Sequence, residues 1–376
     1  MPRRGKGEGS VFYHEARQRW VAQATYWQDG QRKRLWKTAR TRAEAVQILR
    51  QALAQLDRGV PPPPERETVA RFLERWLEDV VRPTVRPKTY ASYRQLVRLY
   101  LLPGLGSLRL AQLTPADVQR FLNAQLARGL APRTVAYLHA ILRRALGQAE
   151  KWGLVARNVA RLVTPPHVQR TEVQPLTVAQ VRRLLATAQD DRLAALYILA
   201  VSLGLRQGEL LGLRWQDVDL ERGTLSVQYQ LQRVDGRLQL IAPKTARSRR
   251  TLELPAPVVA ALRAHQRRQH AERLAAGPAW QESGLVFTSA HGTPLDPRNV
   301  VRHFHGLLAQ AGLPPKRFHD LRHTAASLLL AEGVDIRVVQ QILGHSQIAL
   351  TANLYAHVMP VLLKDAARKM EATLWG

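Results

Sequence analysis

The 376-residue chain has no cysteine, which removes disulfides, thiol nucleophiles and cysteine-ligated zinc together. It has no run of about eighteen uncharged apolar residues, so no membrane-spanning helix is expected. The start, Met1-Pro2-Arg3-Arg4-Gly5-Lys6, leads into no apolar segment of signal type. Acidic residues are scarce. Against 56 Lys and Arg stand only 29 Asp and Glu, giving a formal charge of +27. That imbalance favours a polyanion partner, nucleic acid first, because every neutralised phosphate releases counterions. Aromatics are few at 6%, yet 45% of residues are hydrophobic, which implies packed cores rather than a basic tail on a small protein. The expectation is a soluble cytoplasmic, nucleoid-associated protein that binds nucleic acid and no membrane.

What is present divides the chain into three. From Gly9 to Trp36, apolar and polar residues alternate in three runs, Val11 to Tyr13, Trp20 to Trp27 and Arg32 to Trp36, with Asp29-Gly30 as a hairpin turn. Thr41 and Glu44 then form a capping box that opens a helix ended by Gly59. Arg19, Arg32, Lys33 and Arg34 lie around Trp20, Trp27 and Trp36, a pattern suited either to a sheet laid on DNA or to a solvated basic face. Pro61 to Pro64 form a stiff linker. Helical periodicity follows over Val69 to Val81, Lys88 to Leu102, Pro115 to Arg128 and Pro132 to Lys151. Within this all-helical segment Lys88, Arg94 and Arg133 are candidates for backbone phosphate contact. A second proline-marked linker, Pro165-Pro166 to Pro175, precedes the largest segment. There Thr177 caps a helix, a long apolar helix from Leu193 to Leu203 breaks at Gly204, and strands are expected over Thr224 to Tyr229, Arg237 to Ile241 and Arg249 to Leu254 as one three-stranded sheet, with Asp235-Gly236 as a tight turn. The expected class is mostly α with small antiparallel sheets (α+β), in domains 1–60, 65–164 and 175–376.

The chemistry concentrates late. Between Arg317 and His357 stand His319-Asp320-Leu321-Arg322-His323, Leu343-Gly344-His345 and Tyr355-Ala356-His357. Transfer at a phosphodiester needs an in-line nucleophile, fixed positive charge on the equatorial oxygens and a proton for the departing alkoxide. Tyr355 suits the first role. Arg206 and Arg322 suit the second, since a guanidinium stays charged and grips two oxygens with a planar fork. Lys244, between two expected strands, suits the third, while His319 and His345 suit exchange of the phenol proton. Neither a metal nor another cofactor is required. His319 and His323 have the spacing of a helical zinc site, but Asp320 stands where the metalloprotease pattern has glutamate.

Taken together these motifs closely resemble those of the tyrosine recombinases, the phage integrase family. Leu205-Arg206-Gln207-Gly208-Glu209-Leu210 resembles its first arginine box, with Glu209 as supporting acid; His319 to Arg322, Leu343 to His345, Pro243-Lys244-Thr245 and Tyr355 resemble the remaining boxes. The resemblance implies a clamp-forming α+β catalytic domain, a helical core-binding (SAM-like) domain and an arm-binding sheet domain. It implies a homotetramer on double-stranded DNA with core-type and arm-type sites, a 3′-phosphotyrosyl intermediate, a four-way junction, and integration or excision of a mobile element with DNA-bending and directionality factors. A type IB topoisomerase, which shares the chemistry, and a catalytically silent DNA-binding regulator are the alternatives.

Overall fold

A computed structural model describes residues 9–28, 31–57, 67–169, 174–243, 249–344 and 367–375. The chain divides into two compact units, Met1–Arg170 and Thr171–Gly376. Among the described residues no helix is long and apolar enough to cross a membrane.

The first unit contains two separate hydrophobic clusters. Strands β1 (Ser10–His14), β2 (Arg19–Gln28) and β3 (Gln31–Ala39) form an antiparallel sheet in the order β1-β2-β3. Gln28 pairs with Gln31; the expected Asp29-Gly30 turn lies on residues outside the described set. The Arg42–Asp57 helix opens with the expected capping box, Glu44 N–H donating to Thr41 Oγ1 and Thr41 N–H to Glu44 Oε2. Its Ala45, Leu49 and Ala52 cover Ala22, Ala24, Leu35 and Ala39. Strand alternation puts Val21, Phe12 and Trp36 on the opposite sheet face, where Val21 is buried and Phe12 and Trp36 meet edge to face.

The second cluster lies in helices. Val69–Trp76, Pro87–Leu96, Pro115–Ala127 and Pro132–Lys151 pack around Phe72, Trp76, Leu101, Leu122, Leu138 and Leu142. Two of these helices continue through widened turns, Leu77–Val81 and Val97–Leu101, where Arg82 N–H reaches Leu77 O and Leu102 N–H reaches Val97 O. Each widened turn stands two residues ahead of a proline, Pro83 or Pro103. A proline ring clashes with the carbonyl four residues back and offers no N–H, and the wider turn lets the helix pass it.

In the second unit the Ala194–Leu203 helix is buried on nearly all sides. It packs between the Ala256–Ala276 and Asp320–Ala331 helices. The sheet differs from expectation. β4 (Val218–Asp219), β5 (Thr224–Val227) and β8 (Arg250–Glu253) form one three-stranded sheet, whereas β6 (Gln230–Val234) and β7 (Arg237–Ile241) form a separate hairpin. The cause is the Asp235-Gly236 turn. Both residues have positive φ, 45° and 82°, which makes a two-residue turn whose flanking strands must pair with each other. The 237–241 strand is therefore taken up by 230–234, and β5 finds β8 instead.

Candidate active site

The local folding of residues 204 to 209 sets the first element. The Ala194–Leu203 helix ends on Gly204 at φ 59°, a left-handed conformation that favours glycine, and an added Cβ there would lie 2.6 Å from Leu343 Cδ2. Arg206 then caps the Gln207–Leu211 helix, its N–H donating to Glu209 Oε2 at 3.1 Å and its Nη1 to Glu209 Oε1 at 2.6 Å. Glu209 is buried. Burial alone would push its carboxyl up, but Arg250 and Arg206 outweigh that and hold its pKa below the usual range.

The second element is the C-terminus of the Ile336–Leu343 helix. Helix ends leave carbonyls without partners and carry partial negative charge. Here three successive carbonyls each receive a different arginine: Ile342 O from Arg250 Nε at 2.6 Å, Leu343 O from Arg322 Nη2 at 2.6 Å, and Gly344 O from Arg206 Nη2 at 3.1 Å. Arg322 also donates from Nη1 to Gly204 O at 2.8 Å. Only 2% of Arg322 is exposed, whereas the Arg206 side chain keeps 34%. Burial lowers the pKa of Arg322, with Arg206 adding to the effect and Glu209 opposing it, and it remains a cation at neutral pH.

His319 leads into the Asp320–Ala331 helix, whose first turn is held by Arg317 N–H to Asp320 Oδ2 at 2.8 Å and Arg317 Nη2 to Oδ1 at 2.7 Å. The His319 and His323 rings meet edge to face with centroids 5.0 Å apart. His319 keeps solvent-accessible area, yet the protein around its ring withdraws water from it, and His323, Arg322 and Arg206 add repulsion. Its pKa falls to about 4, so it is a neutral imidazole at neutral pH. His323 is lowered as well, chiefly by burial. Among the described residues no group of three or more potential metal ligands converges.

Of the candidates, Arg206, Glu209 and Arg322 are linked through Gly204 and the Leu343-Gly344 carbonyls, with His319 in electrostatic reach. Lys244, His345 and Tyr355 lie outside the described residues; Lys244 falls in the connection between β7 and β8, and His345 directly follows Gly344. The residue that sequence reading missed is Arg250. A signal for it existed: it stands two residues before Leu252 and four before Leu254, in phase with the inward face of β8.

The other candidates are distributed over the first unit. Arg19, Arg32 and Arg34 pair across the sheet with His14, Trp27 and Thr25. They therefore share the face opposite the helix with Phe12 and Trp36, and Arg34 stacks on Trp36 at 5.8 Å. Lys33 pairs with Tyr26 and belongs to the face that carries the helix. Lys88 and Arg133 are exposed, and Arg94 stacks on Tyr90 at 5.4 Å.

Two arginines bonded at a helix end, with a neutral histidine in electrostatic reach, suit a site for phosphoryl transfer, and comparison with known proteins gives the class. Residues 174–360 match the phage integrase family, and residues 68–126 match the N-terminal SAM-like domain of phage integrases. The chain belongs to the phage integrase family and is a tyrosine recombinase. Among its relatives, an integrase of Streptomyces ambofaciens is 35% identical, the match covering 97% of this chain and 96% of that one. A XerC-like tyrosine recombinase of Caldanaerobacter subterraneus is 33% identical over 78% of this chain and 80% of its own. In fold, the Tn1549 transposon integrase in complex with transposon right end DNA is similar with a TM-score of 0.68 at 22% identity, covering 82% of this chain and all of that one.

Proposed function

We propose that this recombinase cleaves and rejoins double-stranded DNA at specific sites, with Tyr355 as nucleophile. Tyr355 Oη attacks a backbone phosphorus and the P–O5′ bond breaks, leaving a 3′-phosphotyrosyl bond and a free 5′ hydroxyl. The phenol proton passes to His319 or His345, and Lys244 supplies a proton to the departing 5′ oxygen. Arg206 and Arg322 bear the charge on the non-bridging oxygens. The 5′ hydroxyl of a partner duplex then attacks the phosphotyrosyl bond and restores the phenol, and two such rounds pass through a four-way junction. The observation that carries this reading is the convergence of Arg206 and Arg322 on the adjacent carbonyls Gly344 and Leu343, immediately before His345 in the chain.

The domain roles follow the same reading. The helical segment grips the core site, with Lys88, Arg94 and Arg133 toward phosphates. The amino-terminal sheet takes an arm-type site through the face bearing Arg19, Arg32 and Arg34; Lys33, on the other side, is the weakest of the four. Lambda integrase, similar in fold with a TM-score of 0.57 at 18% identity, has been solved as a tetramer bound to a Holliday junction, and a tetramer is proposed here too. Met370, Leu374 and Trp375 are exposed on the 367–375 segment and offer an apolar face to a neighbouring copy. Integration or excision of a mobile element is the biological setting.

The test needs no known target. Fragmented genomic DNA from the source organism is incubated with the protein, denatured, and covalent adducts are captured and sequenced. Adducts concentrated at one or a few loci are expected; adducts scattered over the genome would point to a topoisomerase instead.

A further inference from the structure

We infer that Arg250 is a positioning residue for strand transfer: its single buried guanidinium clamps both the carboxylate that orients Arg206 and the helix end that precedes His345. The inference rests on the proposed roles of Arg206 and His345, and it adds a residue outside the motifs quoted above.

The geometry is specific to a forked cation. The Arg250 side chain is 8% exposed. Its Nε reaches Ile342 O at 2.6 Å, and its Nη2 reaches Glu209 Oε2 at 3.0 Å. The third nitrogen, Nη1, runs under Gly344, where an added Cβ would lie 2.9 Å from it. One planar group thus ties β8, the Gln207–Leu211 helix and the end of the Ile336–Leu343 helix. A lysine ammonium is a point charge on a flexible stem and does not reproduce two bonds in fixed directions. Glu209 is shared between the two arginines. Arg206 Nη1 holds Oε1, while the Arg206 N–H and Arg250 Nη2 divide Oε2.

Removing Arg250 therefore has two consequences. The Gly344 turn loses one of its three arginine anchors, so the neighbouring carbonyls that receive Arg322 and Arg206 shift. Glu209 also loses a cation while staying buried. The charged groups facing it are then Arg206 on its own turn and Arg322 from the Asp320–Ala331 helix. Its carboxyl protonates at higher pH than in the wild type, and a protonated Glu209 no longer holds Arg206 by charge. A residue with a purely structural role would, on removal, lower stability without moving this titration.

The experiment compares full-length wild type, Arg250→Met and Arg250→Lys on a duplex carrying the locus recovered by adduct capture. It measures DNA affinity, single-turnover cleavage from about pH 5 to pH 8, and the Glu209 carboxyl titration by carbon NMR, assigned with Glu209→Gln. Arg250→Met is expected to bind DNA like the wild type but to cleave about 10²-fold more slowly, the scale set by small misplacements of catalytic groups. Its acid limb and the Glu209 titration should both move to higher pH. Arg250→Lys should restore the titration while cleavage stays slow. Parallel losses of binding and cleavage with an unmoved acid limb would reduce Arg250 to a structural residue and overturn the inference. If Arg250→Met does not fold, Arg250→Lys decides, because wild-type cleavage in that variant contradicts the need for a fork. If the wild type itself forms no adduct, the recombination reading fails, and the Glu209 titration alone still decides whether Arg250 controls that carboxyl.

Discussion

Arginine does opposite work in the two units. In the catalytic unit Arg206, Arg250 and Arg322 point inward, bonded to backbone carbonyls and one buried carboxylate. In the amino-terminal sheet Arg19, Arg32 and Arg34 stand exposed on the face opposite the helix, beside Phe12, Trp27 and Trp36. Under the proposed function, the contrast reflects what each surface asks of a cation. A catalytic guanidinium must already be in place when charge develops, so fixed internal dipoles hold it. A DNA-docking guanidinium adds affinity through counterion release and tolerates freedom.

Substitutions should expose that contrast. The largest effect is expected for Arg322→Ala, which leaves the Gly204 and Leu343 carbonyls without their arginine donor at about 1–3 kcal/mol for each unsatisfied group. Cleavage should fall by about 10²–10³-fold as a transition-state cation is removed. Chemical denaturation and single-turnover cleavage check the two, and a fully stable variant would mean that Arg322 is not anchored as described. Glu209→Gln should follow, with cleavage reduced more than DNA affinity, because the shape is kept while the charge that aims Arg206 goes. A drop in affinity alone would place Glu209 in binding rather than positioning.

The third effect depends on pH. With a folded pKa near 4 against an ordinary value of 6.5, the unfolded chain binds the His319 proton first. Stability of the DNA-free protein should thus fall as pH drops from about 6.5 toward 4, and His319→Gln should flatten that part of the profile. An unchanged profile would remove His319 from the account. The smallest effect on stability is expected for the triple change of Arg19, Arg32 and Arg34 to Ala. Each exposed substitution should stay within about 0.5 kcal/mol. The salt dependence of the proposed arm-site binding should nonetheless weaken by about one unit of slope for each phosphate that the variant no longer neutralises. Equal salt slopes would assign that face to solvent.

Much of this was legible in the sequence, and what was not has a common cause. The capping box at Thr41, the cap at Thr177 and the break at Gly204 are local, set by a few adjacent residues. The motif order from Arg206 to Tyr355 was readable because each box is short. Strand pairing in the catalytic unit was not, since β5 meets β8 across more than twenty intervening residues. Asp235-Gly236 announced a tight turn, but the strand before it, Gln230–Val234, carries too few apolar residues to declare itself. Arg250 escaped for a related reason. A charged residue on an inward strand position reads as an irregularity until Glu209 and Ile342 O are brought beside it.

The most direct measurement of the central claim is mass spectrometry of the adduct formed by wild type and by Tyr355→Phe on the captured locus. A peptide spanning Tyr355 that carries a 3′-linked nucleotide is expected in the wild type and no adduct in the variant, with DNA affinity unchanged. A nucleotide attached to any other residue, or a normal adduct yield from Tyr355→Phe, would contradict it.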